Sequence, residues 1–238
     1  ILGDCLIELK KIQDNFIDLI IIDPPYLTTN EKWDKQEVVN EELSQQLFRV
    51  AKDNCSLYVW CGIGEKSQSL IRWFPIFSKN WYFKDLITWK KQRGIGMRKG
   101  WLYTREEIMW FVKDNKKFIW NVCNQYSKIK RFNPKGFNGG PTKSDFKRFS
   151  NIWDDIIEES FNTSKIELSS LKKEHFTPKP LKSLKRIIEL HTKENDLIFD
   201  CFAGSGSTGL AAKNLNRQFI LIEKEQKYYD IILERLKN

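Results

Sequence analysis

The run Leu197-Ile198-Phe199-Asp200-Cys201-Phe202-Ala203-Gly204-Ser205-Gly206-Ser207-Thr208-Gly209 decides how this chain folds. Leu197 to Phe199 reads as a short apolar strand and Ser207 to Asn214 as a helix. Between them Gly204, Gly206 and Gly209 satisfy G-x-G-x-x-G, which permits a tight turn and close approach of a ligand to the backbone. Phe219 to Ile222 is the next strand, and Glu223 ends it. A carboxylate there can accept hydrogen bonds from both hydroxyls of a ribose. Strand, glycine turn, helix, strand and acid, in that order, describe a nucleoside site. A packing turn with a solvated Glu223 is the plainer alternative.

The charge pattern narrows the nucleoside. A dinucleotide would need a second mononucleotide half, and too few residues follow Gly209 to build one. Asp200, directly before the turn, would repel a pyrophosphate but suits the ammonium of a methionine moiety. S-adenosylmethionine fits better than NAD. No G-K-[ST] follows the glycines, which disfavours a P-loop for ATP.

Outward from this run, strand and helix patterns alternate. Ile17 to Ile22 (IDLIII) is a nearly continuous apolar run, as in a buried parallel strand. Glu41 to Ala51 has helical spacing, Leu57 to Trp60 is apolar, and Cys61-Gly62-Ile63-Gly64 is a turn. Ile108 to Val112 reads as a strand with Trp110 in the core, and Leu181 to Leu190 and Tyr228 to Leu236 as helices. Such alternation predicts an α/β fold, a mostly parallel sheet with helices on both faces. Asp23-Pro24-Pro25-Tyr26 directly follows IDLIII. Two prolines hold the backbone extended and leave carbonyls free to accept. A carboxylate, a rigid carbonyl and an aromatic ring at a strand's carboxyl end suit a flat ring bearing an amine. A stiffened loop with a capping Asp is the alternative.

The 238 residues carry a net charge of +9, with 41% hydrophobic residues. That length suits one domain, or one with a small insertion, and the ordinary 30% charged fraction argues against global disorder. No apolar run is long enough for a membrane helix. Opening at Ile1 rather than Met, the chain is expected to continue upstream. Five cysteines without CxxC, and two histidines, disfavour disulfides and zinc and point to a reducing, cytoplasmic setting. Cys55, Cys61 and Cys201 read as small core residues. Charge is concentrated: Leu86 to Trp153 holds sixteen basic and four acidic residues, so the remainder is net −3. The stretch also carries Trp89, Trp101, Tyr103, Trp120, Tyr126, Phe132, Phe137 and Phe146, a mixture suited to phosphate pairing and base stacking. Asn133 to Pro141 reads as an exposed loop. Arg93, Arg98, Lys99 and Arg105, among glycines, and Lys128, Lys130, Arg131 and Lys135 are the candidate nucleic-acid contacts. A solvated surface position is the alternative for each.

Asp23-Pro24-Pro25-Tyr26 together with Phe202-Ala203-Gly204-Ser205-Gly206 resembles the S-adenosylmethionine-dependent amino-methyltransferases of DNA. The order, catalytic motif before cofactor motif, resembles their beta group. The resemblance implies a Rossmann-like methyltransferase fold with circularly permuted motifs: a catalytic half over 1–113, a target-recognition insertion over 114–174 and a cofactor half over 175–238. It implies catalytic roles for Asp23, Pro24, Pro25 and Tyr26. It implies cofactor contacts from Asp4, Cys5, Asp23, His175, Lys179, Pro180, Asp200, Phe202, Ala203, Gly204, Ser205, Gly206, Thr208 and Glu223. Gly3-Asp4 resembles the motif beside the cofactor adenine, and Trp33-Asp34 a pair found after the catalytic motif. His175-Phe176-Thr177-Pro178-Lys179-Pro180 resembles His-Pro-x-x-Lys-Pro but carries Phe176 where proline is usual.

Asp as the first motif residue implies the adenine N6 amino group, where Ser would imply cytosine N4. Asp23 and the Pro24 carbonyl are then expected to accept the two amine hydrogens, and Tyr26 to stack on a flipped base. No cysteine nucleophile or metal is needed. His191 is expected to end its helix as a cation suited to the dipole. The expected partner is DNA, with a homodimer and a separately acting restriction enzyme as further expectations, in a bacterial, archaeal or phage setting. The alternatives are an N4-cytosine DNA or RNA amino-methyltransferase and a nucleic-acid-binding protein without catalysis.

Overall fold

The computed structural model describes residues 1–95, 99–130, 144–158 and 178–237. Its helices are α1 (Cys5–Leu9), α2 (Glu41–Val50), α3 (Ser69–Phe77), α4 (Leu181–His191), α5 (Ser207–Lys213) and α6 (Gln226–Lys237). Its strands are β1 (Ile17–Ile22), β2 (Ala51–Cys61), β3 (Tyr82–Ile95), β4 (Tyr103–Val112), β5 (Tyr126–Lys130), β6 (Phe146–Arg148), β7 (Ile152–Trp153), β8 (Leu197–Asp200) and β9 (Gln218–Leu221). Seven strands form one sheet in the order β7-β3-β4-β2-β1-β8-β9, and β5 and β6 pair separately.

β1 is apolar throughout but for Asp18, and every one of its residues is buried, because helices cover both faces of the sheet. Ile20 and Ile22 pack with Leu43, Leu47 and Val50 of α2 and with Trp73 and Phe77 of α3. Leu19 and Ile21 point the other way, to Leu184, Ile187 and Ile188 of α4 and Ala211 and Ala212 of α5. Each fully buried Ile or Leu contributes roughly 1.5–3 kcal/mol. Local signals agree with this packing. Asn40 Oδ1 accepts from Leu43 N at 2.9 Å, and Glu41 and Glu42 occupy the first turn of α2.

The α/β architecture and the core cysteines match the sequence expectation: Cys55, Cys61 and Cys201 are all buried. One strand breaks the parallel pattern. β4, read from the sequence as a strand of a mostly parallel sheet with no direction assigned, runs antiparallel to both β2 and β3. β3 reaches β4 through a hairpin, which only antiparallel neighbours can use. Most of the 14-residue β3, from Leu86 onward, lies inside the basic stretch, where its strand pattern was hidden by charges. Trp89, counted among the stacking aromatics, is core instead, with Nε1 donating to Ile156 O at 2.9 Å. Trp110 is half-buried, stacked between Tyr58 and Trp120. The expected loop over 133–141 lies outside the described residues.

From β1 the chain proceeds toward one edge of the sheet, and from β8 toward the other. The carboxyl ends of β1 and β8 therefore flank a topological switch point, where open α/β sheets bind ligands. Asp23 follows β1 there and Asp200 ends β8.

Candidate active site

A cleft of about 410 Å³ opens at this switch point. The cofactor turn forms one wall. Gly206 (φ +78°) begins α5 in the left-handed region, where a Cβ would also meet Ile232 Cγ1 at 3.1 Å. At Gly209 a Cβ would lie 2.6 Å from Leu221 Cδ1, so this glycine sets the distance between α5 and β9. Asp200 is buried and organises the turn: Oδ1 accepts from Phe202 N at 3.0 Å and Oδ2 from Thr208 Oγ1 at 2.6 Å. Burial pushes its carboxyl up to about 7 despite those donors. Glu223 Oε2 accepts from Gly204 N at 2.7 Å and Oε1 from Glu225 N at 2.9 Å, and burial raises its carboxyl too. The chain's first residues pair beside it: Leu2 bridges Glu223, and Gly3 N donates to Glu223 O at 2.9 Å. Asp4 caps α1, accepting from Leu6 N at 3.0 Å.

The catalytic motif forms the opposite wall. Tyr26 Oη donates to Asp23 Oδ1 at 2.7 Å, and Lys179 Nζ lies 2.9 Å from Asp23 Oδ2. The same ammonium sits 3.1 Å from Glu106 Oε2 and over the rings of Tyr26 and Trp60, at 5.4 and 5.1 Å. Lys91 pairs with the other Glu106 oxygen. Burial raises the Asp23 carboxyl, and Lys179 pulls it back. Burial opposes charge on Lys179, yet Asp23 and Glu106 hold it above the ordinary lysine value. Burial likewise opposes charge on Glu106, but Lys179 and Lys91 hold its carboxyl below the ordinary range.

Behind the motif, Leu27 adopts φ +63°. The buried Asp34 compensates, accepting from the backbone N–H of Leu27, Thr28 and Thr29 at 2.7, 2.8 and 2.6 Å. Tyr26 is further held edge-on against Trp73 at 5.9 Å.

Of the expected site residues, Asp4, Cys5, Asp23, Pro24, Pro25, Tyr26, Lys179, Asp200, Phe202, Ala203, Gly204, Ser205, Thr208 and Glu223 line this one cleft. Gly206 and Pro180 stand behind it, as the residues that begin α5 and α4. His175 lies outside the described residues. Lys179, expected at the cofactor, lines the cleft and also grips Asp23. Sequence reasoning missed Trp60, Tyr228, Glu106 and Lys91. The signal for Glu106 was present: Glu106-Glu107 is an adjacent acidic pair inside a strongly basic stretch.

Two other expectations resolve differently. His191 does end α4, but it is buried, and burial lowers its imidazole to about 4, so it is neutral rather than a cation. Its Nδ1 lies 2.7 Å from Ile119 O and therefore carries the proton, leaving Nε2 to accept from Tyr58 Oη at 2.6 Å. Of the candidate nucleic-acid contacts, Lys99, Lys128 and Lys130 are exposed. Arg105 is half exposed and pairs with Glu107 at 3.1 Å. The Arg93 side chain, Arg98, Arg131 and Lys135 lie outside the described residues.

A DNA methylase family profile (N6_N4_Mtase) matches residues 17–234, the whole sheet and both motifs. The chain belongs to this DNA methylase family. Among its relatives, the Type II methyltransferase M.HinfI of Haemophilus influenzae is 31% identical over 262 residues, spanning 99% of this chain and 67% of that protein. The Type II methyltransferase M1.MboII of Moraxella bovis is 29% identical over 244 residues, covering 94% of this chain and 91% of its own. The fold is shared with the PvuII DNA methyltransferase (cytosine-N4-specific), at a TM-score of 0.74 and 17% identity over 99% of this chain and 84% of the other. It is shared too with M1.HpyAVI in its SAM complex, at a TM-score of 0.63 and 23% identity over 100% and 97%.

S-adenosylmethionine is the methyl donor of this methylase, and the cleft fits it. Asp200, Glu223 and Asp4 offer carboxylates for a cationic amino-acid end and a ribose, and the Trp60 ring and Tyr228 offer apolar walls. Among the described residues the buried Trp60 Nε1 has no hydrogen-bond partner.

Proposed function

We propose that this DNA amino-methyltransferase methylates the N6 amino group of adenine, with Asp23 and the Pro24 carbonyl as acceptors for the two amine hydrogens. Amine methylation rests on the placement of Asp23 and Pro24 at the carboxyl end of β1, in the same cleft as the glycine turn at the end of β8, and the choice of adenine rests on Asp23 as the motif's first residue. When bound, S-adenosylmethionine supplies an electrophilic methyl group. Asp23, Pro24 and Tyr26 do the rest. An exocyclic amine is a weak nucleophile because its lone pair is delocalised into the ring. Accepting both N–H bonds out of the ring plane aims that lone pair along the line of transfer. Pro24 and Pro25 hold the carbonyl in place, since neither can relax into another backbone conformation at low cost. The Tyr26 ring would stack on the base, which must leave the duplex to reach so recessed an acceptor. Asp200 would receive the cofactor's amino-acid end and Glu223 its ribose. Lys99, Lys128 and Lys130 would meet phosphate. A cytoplasmic setting and a separately acting restriction enzyme accord with the Type II relatives.

Asp23→Ala should abolish methyl transfer from tritiated S-adenosylmethionine while calorimetry still detects cofactor binding. Retained turnover would sink the mechanism. The second reading is cytosine N4, which the likeness to the PvuII enzyme's fold keeps in view. Digesting treated DNA and identifying the modified nucleoside separates the two: N6-methyl-2′-deoxyadenosine supports the proposal and N4-methyl-2′-deoxycytidine overturns it.

A further inference from the structure

Glu106 belongs to neither motif, yet it lies at the centre of a largely buried chain of charges that ends on the partly exposed Asp23. It projects from β4 on the same face as Ile108, two residues on, which packs against α4. Lys179 immediately precedes α4, so the strand and the helix bring the two side chains together. Lys91 on β3 pairs with one oxygen of Glu106, Lys179 lies 3.1 Å from the other, and Lys179 in turn lies 2.9 Å from Asp23 Oδ2. The side chains of Lys179 and Glu106 are only 15% and 13% exposed, so water scarcely screens them. Tyr26 holds the other Asp23 oxygen at 2.7 Å.

We propose that Glu106 is a positioning residue for methyl transfer: anchored by Lys91, it holds Lys179 so that Lys179 fixes Asp23 Oδ2 and leaves Oδ1 turned to the amine. A lysine ammonium on a four-carbon stem has many rotamers, and a carboxylate facing one flexible cation is not oriented. Two carboxylates sharing one ammonium, each with its own second partner, leave Lys179 a single position. The Trp60 and Tyr26 rings beneath it exclude others. This inference rests on Asp23 being the amine acceptor.

The geometry predicts opposite pH effects at the two ends of the pair. The charged or titratable groups facing Asp23 are Lys179 from the segment before α4, Glu106 from β4, Tyr26 from its own loop, Cys61 from β2 and Asp200 from β8. Removing the Glu106 charge removes a repulsion and leaves Lys179 to Asp23 alone, so Asp23 ionises at lower pH. Removing the Lys179 charge leaves two neighbouring carboxylates and does the reverse.

The test is single-turnover methylation of a random-sequence duplex library with enzyme in excess and cofactor saturating, between about pH 5 and 8. Glu106→Gln should slow transfer about tenfold to a hundredfold. It should also move the acid limb to lower pH, and Lys179→Gln should move it to higher pH, each by about one unit. Lys179→Arg, which can pair with both carboxylates, should keep the wild-type limb. Wild-type rate and limb in Glu106→Gln, or shifts of the same sign in both glutamine variants, would overturn the inference. Turnover by Asp23→Ala in the same assay would overturn the acceptor assignment instead, so the two failures are distinguishable.

Discussion

Asp200 is pulled in opposite directions: burial favours its neutral form, and its hydrogen-bond donors favour the carboxylate. It organises the glycine turn through Phe202 N and Thr208 Oγ1, and under the proposed function it would also face the cationic end of the cofactor. Burial raises its carboxyl to about 7, so near neutrality the free enzyme holds a mixture of protonated and ionised Asp200. Binding a cation beside it requires the ionised form. Cofactor affinity should therefore fall about tenfold for each pH unit below 7, with a proton released on binding. Calorimetry from about pH 5.5 to 7.5 in buffers of different ionisation enthalpy measures both quantities. Asp200→Asn should bind weakly and without that slope; a pH-independent wild-type affinity would refute the placement. Residues of this kind were legible because a motif is local: Asp23, Asp200 and Glu223 stand at strand ends that the apolar runs announce. Glu106 stands out in the sequence only as half of an acidic pair in a basic stretch, and its role was hidden, since nothing near it or Lys91 in the chain names a partner more than seventy residues away, as Lys179 is from Glu106.

At the scale of elements, α4 shows how a helix end is tied down without a charge. His191 donates through Nδ1 to Ile119 O and accepts at Nε2 from Tyr58 of β2, among the rings of Tyr58, Trp110 and Trp120. The folded imidazole titrates near 4 against about 6.5 when unfolded. Between those values the unfolded chain binds the extra proton, so the stability this residue contributes is present above about 6.5 and lost as pH falls toward 4. Wild type should exceed His191→Gln in stability at pH 7. That advantage should shrink by about 3 kcal/mol by pH 4, read from urea melts of both proteins. A constant gap would mean that the histidine is charged after all. The helix itself was evident from its apolar spacing. The neutrality of its last residue was not, because the dipole argument assumes a solvated end and this end is packed against β2. The direction of β4 was equally hidden: an apolar run specifies burial and carries no sign for parallel or antiparallel pairing.

For the whole molecule, the charge asymmetry of the sequence becomes a division of surface. Lys99, Lys128 and Lys130 are exposed, whereas Lys91 is turned inward onto Glu106 and Arg105 meets Glu107. Part of the basic stretch thus serves the fold and the site, and fewer charges than the local excess remain for phosphate. DNA affinity should fall linearly in log K against log salt, with a slope of about −0.9 for each phosphate neutralised. Titration between about 50 and 200 mM salt gives that number, and a flat line would contradict a phosphate-binding face. Replacing Lys128 and Lys130 by Gln should reduce the slope by about two.

What the sequence by itself determined is whatever depends on neighbours in the chain: the apolar strands, the glycine turn, the proline-stiffened acceptor loop and the identity of the residues at the strand ends. These follow from backbone sterics and from hydrophobic periodicity, both local. Only the tertiary structure decided that β4 reverses, that Trp89 is core, that His191 is neutral, and that Lys91, Glu106 and Lys179 converge on Asp23. Each of those depends on which distant surfaces exclude water together. Desolvation and charge pairing are properties of that enclosed space, and no stretch of the chain contains it alone.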